Sequence, residues 1–89
     1  MRTTYNHESL DKHGITEQEA DEVYATGKDF DLVPSDDGND RIMVVGWTAI
    51  GRLLEVGIEY LPNGDEHIFH ASEATKQYQC QQQFEKFTR

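Results

Sequence analysis

The chain has 89 residues, 36% of them hydrophobic, and its 17 acidic and 8 basic side chains give a formal net charge of −9. This length suits one core and excludes two ordinary domains. A core this small buries a little over ~60% of the unfolded surface, so each large apolar side chain weighs heavily in a stability of roughly 5 to 13 kcal/mol.

The longest apolar stretches, such as Ile42 to Val45, fall far short of the ~20 residues of a membrane helix, and no signal-peptide pattern opens the sequence. The single cysteine, Cys80, allows neither an internal disulfide nor a cysteine-pair zinc site. The expectation is a cytoplasmic single domain over residues 1–89, with no membrane span, cofactor or metal. Residues 1–40 hold 11 acids and 3 bases, a net −8, whereas residues 41–89 hold 6 acids and 5 bases, a net −1. Long-range attraction for nucleic acid is therefore weak, and any nucleic-acid role needs a local basic pocket.

Asn6 to His13 suits a short helix ended by Gly14. Thr16-Glu17-Gln18-Glu19 is a capping box, with Ile15 and Ala20 placed as a hydrophobic staple. It predicts a second helix from about Glu17 to Thr26, with Ala20, Val23 and Tyr24 on one face and Gly27 as a left-handed stop. Asp29 to Leu32 adds a short strand. Pro34 to Asp40 is a run of turn formers, read as a solvated acidic loop because it lacks an EF-hand pattern.

Three β-type runs follow: Arg41 to Thr48, Arg52 to Leu61 and Glu66 to Ala71. The turns between them, Ala49-Ile50-Gly51 and Pro62-Asn63-Gly64-Asp65, are short enough for hairpins. In the middle run Leu54, Val56, Ile58 and Tyr60 share the core face, and Leu53, Glu55, Gly57 and Glu59 share the other. Ser72 suits the cap of a final helix from about Glu73. On it Ala74 and Tyr78 sit together, whereas Cys80, Phe84 and Phe87 form a second cluster, which makes residues 79–89 a candidate interaction tail and homodimer contact. The expected fold is α+β: two short N-terminal helices, an antiparallel three- to four-stranded meander and a C-terminal helix.

This order, with Lys12-His13-Gly14-Ile15 followed by Glu19-Ala20 and Val23, resembles the BrnT-like ribonuclease toxins. Downstream, Arg41 precedes an apolar strand ending in Gly46, Gly51-Arg52-Leu53-Leu54 opens the next, and Ile68 to Lys76 is similar to the family's closing strand and helix start. The resemblance spans about His7 to Tyr78. It implies a compact RelE-like fold, RNA cleavage, and neutralisation by a DNA-binding antitoxin. Arg41 and Arg52 stand at family arginines and Lys12 at the family lysine, whereas His67 and Ser72 stand where the family has two further arginines.

Metal-independent RNA cleavage needs a base for the 2′ hydroxyl proton, an acid for the leaving oxygen and cations for the phosphorane charge. His67 and His70 titrate in the right range, Glu55 and Glu59 lie on the non-core face, and Arg41, Arg52 and Lys76 are available cations. In a regular strand His67 and His70 point to opposite faces, so pairing them on one phosphate requires a bulge between them. The candidate catalytic set is Arg41, Arg52, His67 and Lys76.

Bland roles compete with each assignment. The arginines suit strand-edge ion pairs, His67 and His70 suit a rim position and a partly buried hydrogen-bonding position on a short strand, His13 suits the end of the first helix, and Trp47 and Tyr60 suit ordinary sheet packing. Two functions stand against each other: a toxin-like, weak or specialised endoribonuclease, and a non-catalytic protein-binding module of the same fold.

Overall fold

The computed structural model describes residues 2–32 and 37–74, with residues 29–31 as backbone alone. The elements run β1 (Thr3–Tyr5), α1 (His7–Lys12), α2 (Glu17–Thr26), β2 (Lys28–Leu32), β3 (Asp40–Trp47), β4 (Leu53–Tyr60) and β5 (Glu66–Glu73). Asn6 caps α1, and Gly14, in the left-handed region at φ 63°, follows it. Thr16 and Glu19 form the expected capping box of α2, Thr16 Oγ1 accepting from the Glu19 amide at 3.0 Å and Glu19 accepting from the Thr16 amide at 3.1 Å. Ile15 and Ala20 are both buried in the core.

Gly27 ends α2 as expected but not in the expected way. Its backbone is extended, at φ −78° and ψ 175°. What demands glycine is space: a Cβ would lie 2.6 Å from the Val23 carbonyl oxygen and 2.6 Å from Val44 Cγ1. The α2 end thereby sits directly on β3.

Five strands form one sheet in the order β1-β5-β4-β3-β2. β1 runs parallel to β5 and every other pair is antiparallel. The helices bury Leu10, Ile15, Ala20 and Val23 against Val44, Leu54, Val56, Ile58, Ile68 and Ala71, which form the first face of the sheet. The β4 alternation is borne out: Leu54, Val56 and Ile58 are fully buried there and Tyr60 packs beside them.

The expected three- to four-stranded antiparallel meander closed by a C-terminal helix is corrected on two counts. The sheet is mixed and five-stranded because residues 3–5 join it: Thr4 pairs with His67, a contact 63 positions away that no local pattern announces. Ser72 caps no helix, since it and Glu73 continue β5 opposite Glu55 and Leu54, and the Ala74 amide still donates to the Leu53 carbonyl. Both helices of the described residues thus lie N-terminal to the hairpins. The rest of the expected final helix, with Lys76, Tyr78, Cys80, Phe84 and Phe87, lies outside the described residues. Among the described residues no helix is long and apolar enough to cross a membrane.

Candidate functional site on the second sheet face

The face turned away from the helices is built from cross-strand rows, because directly paired residues point the same way. One row is Arg41, Glu59, His67 and Thr4; the next contains Met43, Gly57 and His70; a third contains Val45, Glu55 and Ser72. His67 and His70 share this face because β5 carries a bulge. Ile68 pairs with Ile58 and His70 with Gly57, so Phe69 is the extra residue. A regular strand separates the two histidines onto opposite faces; one inserted residue reunites them.

The bulge is held from both sides. Asn6 Nδ2 donates to the Phe69 carbonyl at 3.2 Å, and Ser9 Oγ accepts from the Ala71 amide at 3.2 Å, so the first turn of α1 satisfies β5 backbone groups beyond the end of β1. The Phe69 ring lies over Gly57, where a Cβ would meet Cζ at 2.6 Å. Arg41 stacks on the same ring, its Cζ 4.9 Å from the centroid.

Two carboxylates are buried in these rows. Glu59 accepts from Arg41 Nε at 2.9 Å on one oxygen and from Asn39 Nδ2 at 2.7 Å on the other, which offsets its desolvation. Glu55 lies 3.4 Å from His70 Nε2. The same nitrogen is 3.1 Å from Ser72 Oγ. A nucleophile relay uses the two different ring nitrogens of its histidine, so Ser72, His70 and Glu55 do not form one. His67 Nδ1 is 2.8 Å from Thr4 Oγ1, which fixes the ring; among the described residues its Nε2 has no hydrogen bond.

Arg41 and His67 thus stand together as the sequence suggests, and Arg52 stands apart. From Arg52 to Glu59 is seven residues of extended chain, roughly 23 Å. Arg52 also turns to the helix side, where it donates to Glu73 at 2.7 Å, to Glu19 at 3.1 Å and to the Gly14 carbonyl at 3.2 Å. The Glu73 hydrogen bond and the charge of Glu19 raise its pKa above the ordinary arginine value, against the opposing effect of desolvation. It ties the turn between α1 and α2 to the end of β5. Lys76 lies outside the described residues.

Sequence reasoning placed Glu55 on this face but left His70 on the opposite one unless a bulge intervened. A signal was present: Ile68 and Ala71 are three apart, a spacing that a regular strand cannot bury on one face. Among the described residues no group of three or more His, Cys, Asp and Glu is arranged to hold a metal. No protein-family model, curated protein or solved structure matches this chain.

Proposed function

We propose that the chain is a toxin-like endoribonuclease that cleaves RNA without metal on the second sheet face. The observation that carries this reading is the Phe69 bulge, which sets His67 and His70 in adjacent rows, two register positions or roughly 7 Å apart, on the face that holds Arg41. A phosphodiester between them meets one imidazole as base and the other as acid. The base takes the 2′ hydroxyl proton, the 2′ oxygen attacks phosphorus, and the acid protonates the departing 5′ oxygen, leaving a 2′,3′-cyclic phosphate and a 5′ hydroxyl. Arg41 supplies charge to the phosphorane, and Glu59 holds its guanidinium in place. The reading includes a cytoplasmic site of action, a small DNA-binding antitoxin as partner and self-association through Cys80, Phe84 and Phe87.

The disposition of charge favours the second reading, a protein-binding module that has lost cleavage. Both Nη atoms of Arg52 donate to carboxylates and carbonyls, Arg41 already faces Glu59, and the chain carries −9 overall. Cleavage of single-stranded RNA at low salt, in the presence of a chelator, separates the two readings. The ribonuclease reading expects cyclic-phosphate ends whose formation falls when His67 or His70 is replaced by alanine. Absence of such ends with wild-type protein selects the binding module.

A further inference from the structure

On the helix side of the sheet, opposite the histidine face, a groove of about 440 Å³ opens between β1 and α2, lined by Thr3, Tyr5, Asp21, Tyr24, Ala25 and Glu66. Its volume falls in the ~300–1,000 Å³ range of small-ligand sites. Its chemistry is one-sided. The Tyr5 hydroxyl donates to Asp21 Oδ1 at 2.7 Å, and the Tyr24 hydroxyl is engaged with Tyr60, 3.1 Å away, and with Glu66. The Tyr5 proton is thereby committed to Asp21, and the Tyr24 hydroxyl has Tyr60 and Glu66 as its partners. A carboxylate has about four lone-pair sites, so Asp21 and Glu66 keep accepting capacity beside these hydroxyls. Glu66 is only 8% exposed, which strengthens its field at the groove. None of the six lining residues is a cation.

We propose that this groove binds a linear aliphatic ammonium ligand, a small primary amine or polyamine. An ammonium is a donor with no acceptor, which matches a wall whose phenol hydroxyls already have partners and whose acceptors remain. The rings of Tyr5 and Tyr24 add cation–π attraction, and Ala25 offers apolar contact to the alkyl chain. Burial, followed by the hydrogen bond to Asp21, pushes the Tyr5 phenol up to about 12, so its ring stays neutral across physiological pH. This site is independent of the proposed ribonuclease face, and either stands without the other.

The test is a titration of the full chain with putrescine at fixed ionic strength, followed through the ring resonances of Tyr5 and Tyr24, with butanol as the neutral control. Saturable shifts centred on those rings are expected with putrescine and not with butanol. Asp21→Asn, at an exposed position, should weaken binding by about tenfold, the scale of one hydrogen bond to a charged group. Tyr5→Phe, which keeps the ring, should still bind. Equal shifts with butanol, an unchanged affinity in Asp21→Asn, or shifts spread evenly over Glu8, Asp11 and Glu17 as well would overturn the proposal; the butanol comparison depends on no variant.

Discussion

Replacing Gly57 with alanine probes the construction of the histidine face. The added methyl would lie 2.6 Å from Phe69 Cζ, 2.9 Å from Cε2 and 3.0 Å from Met43 Sδ, whereas ordinary contact begins near 3.4 Å. The ring must withdraw by several tenths of an ångström, which disturbs its contact with Arg41. Overpacking of this kind costs about 1–3 kcal/mol. Alanine returns roughly 0.5–1 kcal/mol relative to glycine within a strand. The net expectation is a loss of up to about 2.5 kcal/mol, centred just above ~1 kcal/mol, and each kcal/mol reads as a fall in Tm of roughly 4–8 °C for a domain of this size. Thermal and urea unfolding of Gly57→Ala, Phe69→Ala and the double variant measures it. With Phe69 truncated, Gly57→Ala should become neutral or stabilising. An equal cost in both backgrounds, or none in the wild type, would show that the ring does not rest on Gly57.

Three further outcomes follow from the same contacts. Arg41→Ala leaves Glu59 buried with only Asn39 as partner and should cost roughly 2–4 kcal/mol, a little under the ~3–5 for a fully buried pair, while Arg41→Met with Glu59→Leu recovers most of it; equal stability of single and double variants in urea melts would contradict this. Asn6→Ala removes the side-chain donor to the Phe69 carbonyl and should speed amide exchange around residues 68–71 more than around β3, and uniform acceleration would count against a local clamp. The Tyr5 phenol should titrate near 12 by phenolate absorbance, with Asp21→Asn lowering the midpoint. Because the folded value is raised, the stability linked to this group is fully present below pH ~10 and is lost as pH rises through about 12; a midpoint at the ordinary tyrosine value would refute the contact.

The two helices and the hairpins were legible because their signals are local. Thr16 and Glu19 fix the start of α2 within four residues, Gly51 and Gly64 adopt the positive φ that their turns require, and the β4 alternation names its core side chains. What escaped depends on distant partners. Residues 3–5 become a strand only because β5 offers an edge to them, and Ser72, a good helix cap by composition, stays extended because Glu55 pairs with it across the sheet. For the candidate site, sequence could place Arg41 and His67 near one another only through strand register. It could not foresee that Arg52 points to the opposite side, where Glu19 and Glu73 converge on it. The bulge that brings His70 in was written in the three-residue spacing of Ile68 and Ala71, yet the clamp by Asn6 and Ser9 comes from α1, more than sixty residues away.

The most direct test of the proposed activity is the rate at which purified protein forms 2′,3′-cyclic phosphate ends on single-stranded RNA with chelator present, compared among wild type, His67→Ala and His70→Ala. Loss of a positioned acid or base should lower that rate by ~10²–10⁴ in each variant while the fold, followed by circular dichroism, is retained. Cleavage at the wild-type rate by folded His67→Ala and His70→Ala, or no cleavage by the wild type, would contradict a ribonuclease site on this face.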